Sequence, residues 1–85
     1  MGRRRGEVQI LIDILGISLR GVKTTHLMYK ANLSYSTLRK YLSTMSKRGL
    51  IVKVRNYEGS VVYRTTEKGK RVLDRLKEVK YILSA

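Results

Sequence analysis

Very few residues in this sequence carry the side chains that catalysis or metal binding requires. The 85 residues include one histidine, His26, and no cysteine. Metal sites and nucleophilic catalysis each need several such groups close together. Glu7 and Asp13 are not spaced to share one face of a helix, so they form no acid–base pair. We therefore expect no enzyme activity, no metal and no cofactor.

Basic side chains are the abundant chemical groups instead. Lys and Arg number 19 against 6 Asp and Glu, which gives a formal net charge of +13 at pH 7. Residues 20–49 carry seven of these cations and no acid. The seven are Arg20, Lys23, Lys30, Arg39, Lys40, Lys47 and Arg48. Self-repulsion on this scale is tolerated most easily when a polyanion is the normal partner.

Length and hydropathy limit the class of protein further. A chain of 85 residues with 42% apolar content makes one small domain and is too apolar for a basic disordered tail. The apolar segment 8–19 contains Gln9 and Asp13, so it favours an amphipathic helix over a secretory signal. No stretch is long enough to span a membrane. We expect a cytoplasmic, nucleoid-associated protein with no evident small-molecule ligand.

Three helices are predicted in the first half of the chain. Apolar side chains recur at helical spacing in residues 7–18, 25–31 and 35–48. In the third segment, Leu38, Leu42 and Met45 share one face. Thr24 or Thr25 is the predicted cap of the second helix and Ser34 that of the third. The short connection between these two helices predicts a helix-turn-helix.

After Gly49 the apolar period changes from that of a helix to that of a strand. Residues 50–55 and 61–65 predict a hairpin with a loop of about five residues. Residues 67–83 predict a fourth helix, capped by Thr65 or Thr66. Val22-Lys23 is a candidate third strand. The order helix-helix-helix-strand-strand-helix predicts a mainly α fold with a small β-hairpin (α+β), the winged helix-turn-helix.

Four segments of the sequence resemble the small archaeal winged-helix DNA-binding proteins. They are Tyr29 to Tyr35, Leu38 to Leu42, Lys47 to Ile51 and Tyr63 to Gly69. This group includes predicted transcriptional regulators, chromatin-associated proteins and regulators carried by archaeal viruses. The resemblance covers about residues 7–80 and implies the same fold and binding to DNA. We expect a basic arm at 1–6, the winged domain at 7–66 and a helix at 67–85 for dimerisation.

The third helix is the expected reader of double-stranded DNA. With its leucines inward, its outer face carries small hydroxyl side chains and cations, which suit entry into the major groove, about 12 Å wide. Arg39 is the candidate for a guanine contact, and Lys40 and Lys47 for phosphates. The candidate DNA-contacting residues are Arg3, Arg4, Arg5, Lys23, Ser34, Tyr35, Ser36, Thr37, Arg39, Lys40, Ser43, Lys47, Arg55, Asn56, Tyr57 and Arg64.

The hairpin and the arginine run are the expected secondary contacts. The hairpin tip, flanked by Arg55 and Arg64, is placed along the DNA backbone or in the minor groove, although Glu58 opposes a close phosphate approach. Arg3 to Arg5 form either a minor-groove arm or a diffuse positive charge.

The fourth helix has more apolar side chains than one thin domain needs to cover. Its stripe consists of Val72, Leu76, Val79 and Leu83. A homodimer through this stripe is predicted, with packing onto the first helix as the alternative.

Two further functions remain open at this point. The first alternative is a low-specificity architectural or chromatin protein that binds DNA by charge and shape. The second is an RNA-binding or protein-interaction winged helix. The mixed Ser, Thr and Arg face of the third helix favours a transcriptional regulator.

Overall fold

Four helices and one hairpin follow one another in the predicted order. The computed structural model describes residues 5–84. The elements are α1 (Glu7–Ile17), α2 (Thr24–Ala31), α3 (Tyr35–Lys47), β1 (Ile51–Arg55), β2 (Val61–Thr65) and α4 (Glu67–Ser84). The predicted fold class is confirmed, and the predicted ends of the elements differ from these by no more than one residue.

One apolar core joins all of these elements. The largest fully buried apolar side chains come from α1, α2, α3 and β1: Ile14, Leu15, Leu27, Leu38, Met45 and Ile51. Leu73 adds a buried side chain from α4. Each such side chain contributes about 1.5–3 kcal/mol by leaving water. Because Leu38, Leu42 and Met45 point into this core, the opposite face of α3 is directed outward.

The turn between α2 and α3 is fixed by backbone geometry and one cap. Asn32 ends α2 in the left-handed region, with φ of 55°. Ser34 then caps α3, because its Oγ accepts a hydrogen bond from the Thr37 N–H at 3.2 Å.

The predicted cap of α2 is wrong. Its N-cap is Lys23, without a side-chain hydrogen bond, because the helix begins one residue early and both Thr24 and Thr25 lie inside its first turn.

The hairpin is antiparallel, and Ile51 pairs with Thr65 at its base. Its loop spans the predicted residues 56–60. The predicted third strand is reduced to a single bridge, in which Val22 and Tyr63 exchange two backbone hydrogen bonds of 2.9 Å. Lys23 cannot extend it because α2 starts at the next residue.

The start of α4 ties the hairpin to the helices. Thr66 is its cap, since the Thr66 Oγ1 accepts from the Gly69 N–H at 3.0 Å and donates to the Gly49 carbonyl at 2.6 Å. Gly69 lies directly against the Leu50 carbonyl oxygen, where a Cβ atom would overlap it. Gly49 has φ of +75°, which lets the chain leave α3 and enter β1.

Candidate nucleic-acid interface

The outer face of α3 carries the side chains that the sequence assigned to it. Ser36, Arg39, Lys40, Ser43 and Lys47 are all exposed. Thr37 is half-buried, and its hydroxyl accepts a hydrogen bond of 2.9 Å from the Ser34 Oγ. The face is therefore a continuous surface of cations and small hydroxyl groups.

Arg39 is held in place by Tyr35, one turn earlier on α3. The Arg39 Nη1 donates to the Tyr35 Oη at 3.0 Å, and the guanidinium lies 5.7 Å from the centre of the tyrosine ring. This hydrogen bond raises the pKa of Arg39. The remaining guanidinium N–H groups are free to act as a two-donor fork.

The cations of α3 have no acidic partners in the described part of the chain. Residues 5–84 contain two ion pairs, Arg5 with Asp13 and Lys70 with Glu67. Neither involves α3 or the turn before it. The positive charge of this face is thus fully available to an external anion.

A polar cleft of about 250 Å³ lies between α3 and the hairpin. Arg39 and Ser43 line it, together with three residues that the sequence analysis did not select, Ser46, Lys53 and Tyr63. The Lys53 ammonium lies 5.6 Å from the centre of the Tyr63 ring. Strand alternation could have indicated the position of Lys53. Lys53 lies on the same face of β1 as Ile51, which packs in the core beside α3.

The hairpin tip is held together by two of its predicted contact residues. The Arg55 Nη1 donates to the Gly59 carbonyl at 2.8 Å. The Asn56 Oδ1 accepts from the Glu58 and Ser60 N–H groups at 3.0 and 2.9 Å. Both side chains therefore shape the tip.

The other two hairpin candidates point in different directions. Tyr57 projects fully into solvent at the tip. Arg64 pairs with Val52 across the hairpin, so it lies on the face opposite to Arg55 and Lys53.

The remaining candidates lie on the periphery. Arg3 and Arg4 are outside the described residues. Arg5 is turned toward the protein, because its Nη1 contacts the Asp13 Oδ2 at 2.7 Å and its Nη2 donates to the Asn32 carbonyl at 3.0 Å. Lys23 is exposed at the start of α2.

The predicted dimerisation stripe divides into two parts. Val72 and Leu76 are half-buried and pack against the protein's own core. Val79 and Leu83 are exposed, as is Ile82 beside them. The apolar surface open to a partner therefore begins near Val79.

Comparison with known proteins gives this architecture a family. The sequence pattern of the winged helix-turn-helix family matches residues 4–84. The chain belongs to the winged helix-turn-helix family. The winged helix-turn-helix family is not a family of enzymes, in agreement with the prediction of no catalytic activity.

Three proteins similar to this winged helix-turn-helix chain come from archaea. It is similar to Sso10a-2, a DNA-binding protein from Sulfolobus solfataricus, with a TM-score of 0.83, 29% identity and coverage of 94% of this chain and 83% of that one. The transcriptional regulator BldR from the same organism has a TM-score of 0.81, and its 20% identity over 89% of this chain and 57% of BldR shows the shared fold alone. The Methanocaldococcus jannaschii protein MJ0290 is 32% identical over 77 residues. These are 89% of this chain but 34% of MJ0290, so the chain spans about a third of that relative.

Between residues 5 and 84, no cluster of three or more His, Cys, Asp or Glu side chains is placed to hold a metal ion. No helix in that range is long and apolar enough to cross a bilayer.

Proposed function

We propose that this protein is a transcriptional regulator that binds double-stranded DNA and reads the major groove with α3. The observation that carries the proposal is the outer face of α3. It presents cations and small hydroxyls, without an acid anywhere in residues 20–49. The similarity to Sso10a-2, a DNA-binding protein, supports the same partner.

The contacts on α3 divide into base reading and positioning. Arg39 donates to guanine O6 and N7, and this bidentate contact contributes about 1–3 kcal/mol of discrimination. Ser36 and Ser43 are short enough to let the helix approach base edges. Lys40 and Lys47 bind phosphates, which fix the register of the helix without reading sequence.

The hairpin supplies the second contact region. Tyr57 enters or borders the minor groove, since it projects from a tip that Arg55 and Asn56 keep rigid. The cleft that contains Lys53 receives a backbone phosphate between α3 and the hairpin. Arg64, on the opposite face, makes at most a peripheral contact.

Arg5 lies close to the helix-turn-helix. Its Nη2 donates a hydrogen bond to the carbonyl of Asn32 in the α2–α3 turn, and its Nη1 contacts Asp13. Because its guanidinium is bonded within the protein, Arg5 does not enter a groove itself. Arg3 and Arg4, outside the described residues, stay predicted DNA contacts.

We propose a homodimer through the end of α4. Val79, Ile82 and Leu83 share one exposed side of the helix, and two-fold pairs are the commonest oligomers. Sedimentation equilibrium should give twice the chain mass. It should give a monomer for Ile82→Asp/Leu83→Asp, whereas Tyr29→Asp, at an exposed tyrosine of α2, stays dimeric. A monomeric wild type would contradict the dimer.

The alternative function is an architectural protein of the nucleoid, favoured by the net charge of +13. Selection of bound duplexes from a random library, near physiological salt, separates the two because charge-only binding weakens there. The proposal predicts an enriched motif with two related half-sites about one helical turn or a multiple apart. Retained DNA without a motif would indicate the architectural role. Failure to retain duplex would point to RNA or protein partners.

A further inference from the structure

A second cleft lies on the side of the hairpin away from α3. It measures about 530 Å³ and is bounded by the end of α1, the segment before α2, α2 itself and the hairpin. Val62 lines it, and strand alternation puts Val62 on the face opposite to its neighbour Tyr63, which lines the α3 cleft. The two clefts are therefore separate and share no lining residue. Of the candidate DNA contacts, Lys23 and Asn56 line this one, and the proposed contacts of α3 do not reach it.

The cleft combines an apolar floor with a basic rim. Ile17, Leu19 and Val62 supply apolar surface, and Leu19 is exposed although it is a large apolar side chain. The rim carries Arg20, Lys23, His26 and Lys30. None of these four belongs to either of the ion pairs found in residues 5–84, and none of the lining residues is acidic.

Gly16 lies at the wall of the cleft. It lies in the last turn of α1, where glycine is less favourable to the helix than alanine. A Cβ atom at Gly16 would meet nothing within 4 Å, and its φ is not in the positive range. Neither packing nor backbone geometry requires a glycine here, and the residue lines the cleft. A side chain at this position would extend into open space.

We infer that this cleft binds a small organic acid whose carboxylate pairs with the basic rim and whose apolar body covers Ile17, Leu19 and Val62. A concave site with an apolar floor and a few convergent polar groups is typical of small-molecule binding, and its volume is within the usual range. A DNA phosphate, by contrast, has no apolar part to cover such a floor. The inference revises the expectation of no evident small-molecule ligand.

Such a ligand would connect two DNA-facing elements. It would touch α2 through His26 and Lys30 and the hairpin through Val62, and so fix the position of one relative to the other. A consequence for DNA affinity rests on the proposed function. Binding of the acid itself does not rest on the proposed function. It is therefore measured on the full chain without DNA.

The test compares 2-naphthoate with its neutral isostere 2-naphthamide by NMR titration of the amide signals. We expect 2-naphthoate to shift the signals of Gly16, Gly21, His26 and Val62 saturably, with an affinity at least about tenfold higher than that of the amide. Gly16→Leu, which fills the cleft, should abolish these shifts. Lys23→Gln/Lys30→Gln should weaken binding while leaving the core untouched, and Lys77→Gln/Lys80→Gln on α4, an equal loss of charge, should not.

Four results would overturn the inference. They are equal binding of the amide, shifts spread over the α3 cations, unchanged binding by folded Gly16→Leu, or no shift of the cleft signals at all. Cleft signals that move with a short duplex and not with 2-naphthoate would also contradict it and assign the rim to DNA. The titration with 2-naphthoate contains no DNA. A negative result in it would therefore not contradict the proposed function.

Discussion

At the residue scale, the candidate interface separates side chains that contact a partner from those that position others. In the proposed function Arg39 belongs to the first kind, because Tyr35 orients it through one hydrogen bond and the ring face while most of its donors stay free. Asn56 and Arg5 belong to the second kind, since their polar atoms are already bonded within the protein. The residue type alone did not distinguish these roles.

Replacing Asn56 should loosen the hairpin tip. Asn56→Ala removes one acceptor that serves two backbone N–H groups, a local loss of about 1 kcal/mol. Hydrogen exchange at the Glu58 and Ser60 amides should become about fivefold faster. Asn56→Asp keeps the acceptor oxygen and should retain most of the protection. Unchanged exchange in Asn56→Ala would show that the tip does not depend on this side chain.

Replacing Arg5 should lower the stability of the fold more than the affinity for DNA. Its ion pair with Asp13 joins side chains that are 29% and 27% exposed, so solvent screening reduces the expected loss to about 1 kcal/mol. Arg5→Ala should therefore melt about 4–8 °C lower. Arg71→Ala, at an exposed arginine of α4, should melt like wild type. A weaker DNA complex with an unchanged melting temperature would instead make Arg5 a direct contact.

At the element scale, the position of the hairpin relative to α3 depends on the close approach of α4 to the end of α3. Gly69 lies against the Leu50 carbonyl, and the Thr66 hydroxyl bonds the Gly49 carbonyl nearby. Both contacts fix the chain at the point where α3 passes into β1. The width of the cleft between α3 and the hairpin follows from this crossing.

Two glycine substitutions should therefore have opposite effects on stability. Gly69→Ala forces a Cβ atom onto the Leu50 carbonyl and should cost about 1–3 kcal/mol, as overpacking does. Gly16→Ala meets no neighbour within 4 Å and should gain up to about 1 kcal/mol of helix propensity. Urea unfolding followed by circular dichroism measures both. A stabilised Gly69→Ala would show that α4 is not in contact there.

The elements were predictable because each has a regular apolar period. Leu38, Leu42 and Met45 fixed which face of α3 is outward, and Ser34 marked its start. The cap of α2 was not predictable, since two adjacent threonines fit equally well and neither is used. The inward turn of Arg5 depends on contacts with residues distant in sequence, which no local period records. Lys53 was missed although strand alternation places it on the face of Ile51.

At the scale of the whole molecule, the distribution of charge is the central property. Residues 20–49 carry seven cations and no acid, and the exposed side chains of Val79, Ile82 and Leu83 lie at the end of α4. In the proposed function the first region binds the polyanion and the second contacts another copy of the chain. This separation explains how a chain with a net charge of +13 can both dimerise and bind DNA in the proposed way.

The central claim is that α3 binds DNA. Its most direct test compares two variants with equal loss of charge and measures their affinity for a selected duplex at one salt concentration. Arg39→Ala/Lys40→Ala removes one Arg and one Lys from α3, and Arg71→Ala/Lys77→Ala removes the same pair from α4. We predict a loss of at least about tenfold for the first, from a guanine contact of roughly 1–3 kcal/mol and a phosphate contact. The second should change far less. Equal losses, or wild-type affinity in the α3 variant, would contradict the account.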